Sequence, residues 1–272
     1  MTETEKKLKR LEEHLQSLGS AAVAFSGGTD SAFLLAAAFR VLGEQAVAVT
    51  ARSAAFPGRE LEEALSFTKE RGIRHLVFEF PEMQVEGFAE NPPDRCYYCK
   101  REILRRMREI AGREGLDRVI EGSNADDAGD YRPGARAVRE QEVESPLLKA
   151  GLTKAEIREV SRAWGLPTWA KQSAACLASR FAYGEPITRE KLNMAEKAED
   201  WLRERGFGQL RVRVHGNLAR IEVTEADFSR ASELQFRRAL AGAFRRMGFA
   251  YVTLDAEGYR MGSMNEVLEP WM

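Results

Sequence analysis

A strand, a glycine turn and a helix near the N-terminus constrain the fold of this chain more than any other feature. Residues 21–25 are apolar, residues 26–31 read Ser-Gly-Gly-Thr-Asp-Ser, and residues 32–39 are again mostly apolar. The two glycines can adopt backbone angles that other residues avoid, so that successive N–H groups point into one concavity. The helix that follows adds unpaired N–H donors and the positive end of its dipole. The segment is therefore predicted to bind a phosphate.

Strands and helices continue to alternate along the first part of the chain. The pattern predicts a helix at 5–18, a strand at 21–25, a helix at 31–42, a strand at 46–51, a helix at 57–72 and strands at 75–80 and 118–121. Such alternation is typical of a parallel sheet that is covered by helices on both faces. We therefore predict an α/β fold with a parallel, Rossmann-like sheet. The glycine loop would lie at its carboxyl edge, where such folds bind ligands.

The pattern changes in the last third of the chain. A capping box at residues 153–156 predicts a helix that reaches Trp164, and residues 168–186 lack periodicity and are interpreted as a long ordered loop. The elements predicted beyond it are a helix at 188–205, a hairpin of strands 209–214 and 218–223, a helix at 225–247 and a strand at 250–254. We therefore predict two domains, at residues 1–184 and 185–272, of which the second is a small α+β domain for substrate binding or oligomerisation.

Composition narrows the class of protein. The chain has 272 residues, of which 44% are hydrophobic, so it can bury a substantial core. Its formal net charge is −1, whereas nucleic-acid-binding proteins are normally basic. No apolar run is long enough to cross a bilayer, and the charged N-terminal residues lack the apolar region of a signal peptide. We therefore expect a cytoplasmic protein without nucleic-acid or membrane partners.

The chain contains three cysteines, which leave several kinds of site open. Cys96 and Cys99 form a Cys-x-x-Cys pair, and Cys176 lies alone in the aperiodic loop. Three thiolates can hold an iron–sulfur cluster or a catalytic zinc ion and leave one coordination position open. The alternatives are a redox pair at Cys96 and Cys99 and a plain core residue at Cys176.

Several motifs resemble those of known families. The glycine loop lacks the lysine of the Gly-x4-Gly-Lys-Ser/Thr loop, and it resembles the PP-loop of the ATP pyrophosphatases, which split ATP into AMP and pyrophosphate. Further segments resemble the ATP-dependent sulfur transferase family called LarE, which acts in synthesis of the nickel-pincer nucleotide cofactor. These segments are residues 121–127, 130–134, 145–154, 166–169, 175–181, 211–216 and 219–222. Ala170 and Ser173 depart from the pattern, because many relatives carry Asp and Pro there.

The resemblance to LarE implies a defined chemistry. A carboxylate of a pyridinium mononucleotide is adenylated by ATP and pyrophosphate leaves, after which sulfur displaces AMP and a thiocarboxylate results. In one form of the family, a single cysteine matching Cys176 gives up its own sulfur. In a second form, three cysteines hold a 4Fe-4S cluster whose open iron carries sulfide. Because Cys96 and Cys99 accompany Cys176, the chain resembles the second form, which requires a sulfide source. The family also implies a homo-oligomer.

Candidate site residues follow from the loop and from the resemblance. The ATP-binding candidates are Ser26, Gly27, Gly28, Asp30, Ser31, Gly122 and Asn124. Asp30 is also a candidate Mg²⁺ ligand, because this ion usually takes one or two carboxylates together with phosphate oxygens.

Arginines and aromatic residues are the candidates for substrate binding. Arg211 and Arg213 lie two apart on a predicted strand and therefore share a face. Together with Arg180 they are predicted to bind a phosphate or carboxylate of the substrate. Tyr97 or Tyr98 is expected either to stack on the pyridinium ring or to be an ordinary core aromatic.

Other functions remain open at this point. Enzymes that thiolate tRNA also combine a PP-loop with a Cys-x-x-Cys pair and a third cysteine, but the near-neutral charge of this chain disfavours RNA binding. An amide-forming PP-loop synthetase would use ammonia and would not need the three cysteines. A nucleotide sensor or a structural protein with a zinc clip would not catalyse a reaction.

Overall fold

A computed structural model describes residues 1–129, 133–172 and 175–266 of the chain. The chain divides into two compact units, one comprising Met1–Val85 with Asp94–Ala174 and the other Glu86–Pro93 with Ala175–Met272. The sequence-based division into two domains, at residues 1–184 and 185–272, stays a prediction. No helix in the described part of the chain is long and apolar enough to cross a membrane.

The first unit is built on a parallel sheet. Within the described residues, the sheet has four strands: β1 (Ala21–Ala24), β2 (Ala46–Arg52), β3 (His75–Glu79) and β4 (Arg118–Ile120). They are arranged in the order β3-β2-β1-β4, and every neighbouring pair is parallel. The predicted α/β fold with a Rossmann-like sheet is therefore confirmed.

Helices cover both faces of this sheet, as predicted. They are α1 (Glu3–Ser17), α2 (Thr29–Leu42), α3 (Gly58–Glu70), α4 (Arg95–Arg113), α5 (Pro133–Glu140), α6 (Pro146–Ala150) and α7 (Lys154–Ala163). Because successive residues of a strand point to opposite faces, Val23 packs in one core with Leu11 and Phe33, whereas Ala22 packs in the other with Leu104. Strand β1 leads through a short loop into α2, so the predicted strand–loop–helix unit is present.

The second unit contains a small mixed sheet. Its elements are α8 (Arg189–Arg203), β5 (Leu210–His215), β6 (Leu218–Val223), α9 (Glu225–Ser232), α10 (Leu234–Arg246) and β7 (Tyr251–Leu254). Strands β5 and β6 form the predicted antiparallel hairpin, whose turn contains Gly216 at a φ of 58°. Strand β7 pairs with β6 in parallel.

The single helix predicted at residues 225–247 is wrong. Glu233 has an extended backbone (φ −59°, ψ 135°), and it ends α9 and begins α10. The change of direction places Phe236 and Phe244 of α10 against the ring of Trp201 in α8. The residues interpreted as a long loop at 168–186 also contain the 3₁₀ turns Pro167–Ala170 and Leu177–Arg180.

Candidate functional site

The glycine loop in the first unit has a backbone that requires glycine. Gly27 has a φ of +72°, and a Cβ atom at this position would lie 3.2 Å from both the Ala64 Cβ and the Glu60 carbonyl oxygen of α3. Gly28 is the N-cap of α2 and has no side chain with which to cap it. The first N–H groups of α2 are therefore available to an anion, which the helix dipole also favours.

Two serines fix the shape of this loop. The Ser26 backbone N–H donates to the Ser31 hydroxyl at 3.3 Å, and the two hydroxyl groups lie 3.1 Å apart. Ser31 in turn donates to the Gly28 carbonyl at 3.2 Å. The loop is thus held in place by its own side chains before any ligand binds, so a ligand need not supply the free energy of ordering it.

Asp30 lies in the first turn of α2 and has one committed and one uncommitted carboxylate oxygen. Its Oδ2 accepts a hydrogen bond from Lys154 Nζ at 2.5 Å. Its Oδ1 is buried and accepts no hydrogen bond from the described residues. A buried carboxylate oxygen without a donor is chemically suited to a hard cation such as Mg²⁺.

The segment after β4 reaches the same place. A Cβ atom on Gly122 would lie 3.1 Å from the Ser31 backbone nitrogen, so this backbone approaches the start of α2 as closely as a glycine permits. Asn124 is buried, and its Oδ1 accepts from the Asp126 N–H at 2.9 Å. The structure therefore brings the predicted ATP-binding residues of the loop together with Gly122 at the carboxyl edge of the sheet.

Two lysines at this edge were not predicted from the sequence. Lys171 Nζ donates to the Gly27 carbonyl at 3.0 Å and pairs with Glu60 and Glu63 at 2.6 and 2.5 Å. Thr29 donates from its hydroxyl to the carbonyl of Thr168, so residues 168–171 are fastened to the glycine loop. Lys154, the partner of Asp30, begins α7. Its contact with Asp30 joins residues 124 apart in the chain, and no local pattern signals it.

Cys96 and Cys99 lie in the first two turns of α4. Cys96 is exposed and Cys99 half-buried, and neither forms a disulfide. Their spacing places both on the same side of the helix. Tyr97 between them is buried, donates to Glu140 at 2.6 Å and lies under the guanidinium of Arg136, whose Cζ atom is 4.3 Å from the ring centre. The pyridinium-stacking role considered for Tyr97 or Tyr98 stays a prediction.

Cys176 lies in the second unit, where a buried arginine holds its turn. It is half-buried and directly precedes the turn Leu177–Arg180. Arg180 donates from Nη1 to the carbonyls of Ala175 and Cys176 at 3.0 and 3.2 Å. Its Nε and Nη2 bind both carboxylate oxygens of Glu199, at 2.7 and 2.9 Å. The Arg180 guanidinium therefore links the turn of Cys176 to helix α8.

Glu199 is the centre of this buried network. It is fully buried, and it also accepts from Arg203 at 2.6 Å and from the Val212 N–H at 3.1 Å. Burial raises the pKa of Glu199, but Arg180 and Arg203 outweigh this effect and lower it to about 2. The carboxylate is therefore charged throughout the physiological pH range.

Arg213 and Arg211 complete the group of predicted arginines. Arg213 binds both oxygens of Glu222, at 3.0 and 2.7 Å, and donates to the Ser179 carbonyl at 3.0 Å. Arg211 is buried, and its pKa is lowered to about 10, first by burial and then by the charge of Arg180. Burial and Arg180 therefore disfavour the charged form of Arg211, whereas the nearby Glu199 favours it.

Some predicted features cannot be placed. Asp130, Tyr131 and Arg132 of the second motif and the departure at Ser173 lie outside the described residues. Within the described ranges, no group of three or more His, Cys, Asp or Glu side chains is arranged to hold a metal ion.

Comparison with known proteins gives close relatives along nearly the whole chain. No protein-family model matches it. An uncharacterized protein of Synechocystis is 42% identical over 264 residues, covering 97% of this chain and 98% of the relative. The pyridinium-3,5-bisthiocarboxylic acid mononucleotide synthase of Lactiplantibacillus plantarum is 36% identical over 258 residues, covering 93% of this chain and 92% of that enzyme. An uncharacterized protein of Methanocaldococcus jannaschii is 29% identical over 238 residues, covering 88% and 90%.

Proposed function

The chain belongs to the family of the pyridinium-3,5-bisthiocarboxylic acid mononucleotide synthase, called LarE, and we propose that it is an ATP-dependent sulfur transferase. Its substrate would be a carboxylate of a pyridinium mononucleotide, which it adenylates and converts to a thiocarboxylate. The observation that carries this proposal is the preformed glycine loop at the start of α2, with the uncommitted Asp30 Oδ1 beside it.

The adenylation step follows from the chemistry of a carboxylate. Its delocalised charge repels nucleophiles, and it has no good leaving group. Attachment of AMP supplies one, and pyrophosphate departs in the same step. The N–H groups at the start of α2 would bind the pyrophosphate as negative charge builds on it. The Oδ1 atom of Asp30 would hold a Mg²⁺ ion, which neutralises phosphate charge when bound.

The sulfur step would depend on the three cysteines. Three thiols, none of them in a disulfide, match in number and chemistry the donor set of a 4Fe-4S cluster with one open iron, although the described residues include no group of three such side chains arranged around a metal ion. When bound, such a cluster supplies a position for a sulfide delivered by a sulfide source. Cys96, Cys99 and Cys176 would be its ligands. Arg180, Arg211 and Arg213 would bind the phosphate or carboxylate of the substrate through their guanidinium groups.

A reconstitution experiment tests both halves of the proposal. The protein is purified without oxygen, supplied with iron and sulfide, and given ATP, Mg²⁺ and the pyridinium biscarboxylic acid mononucleotide. We expect pyrophosphate release that depends on the mononucleotide, and about four irons per chain that are lost in Cys176→Ala. Absence of pyrophosphate release would contradict the adenylation.

A second result separates the two sulfur sources. In this result iron does not bind, and the protein loses about 34 Da at Cys176 after one turnover, which is the mass of hydrogen sulfide. The cysteine has then given up its own sulfur. That outcome would retain the sulfur transfer and replace the cluster by the cysteine itself.

A further inference from the structure

We propose that Lys154 is a phosphate-binding residue of the nucleotide site, where it supplies the positive charge that the glycine loop itself lacks. This inference rests on the proposed use of ATP. It assigns a role to a residue that lies outside the loop and beyond the residues predicted to bind ATP. It concerns the pair formed by Lys154 and Asp30, whose nitrogen and oxygen atoms lie 2.5 Å apart.

The backbone fixes where the Lys154 side chain starts. Thr153 caps α7, and Glu156 completes a reciprocal capping box with it. The Lys154 N–H donates to the Asp126 carboxylate at 2.8 Å. The first residue of α7 is therefore held on both sides, and its ammonium group reaches the first turn of α2, where an anion would bind.

The hydrogen bonds of the two lysines distinguish their roles. An ammonium group has three N–H donors. Lys171 has three acceptors, because it contacts the Gly27 carbonyl, Glu60 and Glu63. Lys154 has one acceptor among the described residues, Asp30, and its side chain is 32% exposed. Lys171 is thus committed to the protein, whereas Lys154 has donors to offer a ligand.

The pair has the polarity that a metal-bound phosphate requires. Lys154 presents N–H donors, which suit phosphate oxygens, and Asp30 presents the buried Oδ1 acceptor, which suits a cation. The salt bridge holds both groups at one place, so that neither has to be ordered when the nucleotide binds. The positive charge of Lys154 also reduces the repulsion between Asp30 and the phosphates of ATP.

Calorimetric titration of the full chain tests this assignment without the overall reaction. Mg²⁺ with ATP, and adenosine alone, are titrated into wild type, Lys154→Ala and Lys154→Arg. We expect Lys154→Ala to weaken binding of Mg²⁺ and ATP by about tenfold to hundredfold, the range of a charge-assisted hydrogen bond, and to leave adenosine binding unchanged. Lys154→Arg should recover part of the affinity.

A matched lysine provides the control. Lys149 on α6 is 53% exposed and pairs with Glu144, so Lys149→Ala should bind Mg²⁺ and ATP as wild type does. If Lys154→Ala binds them as tightly as wild type, or weakens adenosine equally, the assignment is overturned while the proposed function stands. If the wild type binds adenosine but gains nothing from the phosphates, the proposed adenylation fails, and the assignment fails with it.

Discussion

The substitution Glu199→Gln is expected to destabilise the second unit strongly. Glu199 is fully buried and accepts four hydrogen bonds, from two nitrogens of Arg180, one of Arg203 and the Val212 N–H. Glutamine has nearly the same shape, but it is neutral, and one of its two polar ends is a donor. The substitution would therefore leave the buried Arg180 guanidinium without a counter-charge and would turn an N–H group toward a guanidinium.

Two independent arguments give a similar magnitude. Removal of one partner from a buried ion pair typically costs about 3–5 kcal/mol. The pKa of Glu199 falls from its ordinary value of 4.5 to about 2, which corresponds to about 3 kcal/mol of stability at neutral pH. We therefore expect Glu199→Gln to lower the free energy of unfolding by about 3 kcal/mol at pH 7.

The measurement should report on the second unit alone. Hydrogen exchange followed by mass spectrometry on peptides from β5 does so, because the Val212 amide itself is bonded to Glu199. Asp200→Asn is the matched control on the same helix. Asp200 is 41% exposed and pairs with Arg203 at 3.2 Å, so its loss should cost less than about 1 kcal/mol.

The loss of stability in Glu199→Gln should also depend on pH in a direction that can be checked. Because the folded pKa of Glu199 is depressed, its contribution is complete above about pH 5 and is lost as the pH falls from there toward 2. The difference between wild type and Glu199→Gln should therefore shrink over this range. A difference below about 1 kcal/mol at pH 7, or one that does not change with pH, would refute the assignment of Glu199 as the charged centre of the network.

Three further substitutions test the two candidate sites. Gly27→Ala should cost about 1–2 kcal/mol in thermal unfolding, because it combines a φ of +72° with contacts at 3.2 Å, whereas Gly151→Ala, in the left-handed region (φ 74°, ψ 27°) with open space around its Cβ, should cost less. Lys171→Met removes the nearer cation of the buried Glu60, at 2.6 Å, and leaves it the longer pair with Arg59 at 3.6 Å, so it should destabilise the first unit by about 1–3 kcal/mol in urea denaturation. Arg180→Lys keeps the charge but not the planar fork, so sulfur transfer should slow more than pyrophosphate release when both are assayed on one sample; equal slowing would contradict this expectation.

The sequence predicted the fold well wherever a secondary-structure element depends only on residues close to it in the chain. The apolar runs and the two glycines at residues 21–42 define a strand, a loop and a helix without help from the rest of the chain. The hairpin around Gly216 is likewise fixed by its turn. The break at Glu233 was missed because the helical pattern continues through it, and the packing of α10 on Trp201 decides the direction.

The candidate site was only partly accessible from sequence, because its key contacts join distant residues. Lys154 is visible in the sequence only as part of a capping box, and its partner Asp30 is 124 residues away. Lys171 lies 108 residues from Glu63 in an aperiodic segment. The sequence predicted anion binding at Arg180 because arginine commonly binds anions. It could not show that Glu199 already accepts hydrogen bonds from the Nε and Nη2 atoms of that guanidinium. The predicted contacts of Arg180, Arg211 and Arg213 with the substrate stay predictions.

The buried ion pairs Arg180–Glu199 and Arg213–Glu222 are best explained as supports for the turn of Cys176. An apolar pair of similar volume is often as stable as a buried ion pair, so stability alone does not explain them. Each arginine also donates to backbone carbonyls of this turn, Arg180 at Ala175 and Cys176 and Arg213 at Ser179, and an apolar side chain cannot do this. The carboxylates of Glu199 and Glu222 bind the two guanidiniums and thereby orient them. The cost of burying these charges therefore serves to hold the cysteine turn in one conformation, which the proposed sulfur transfer would require of Cys176.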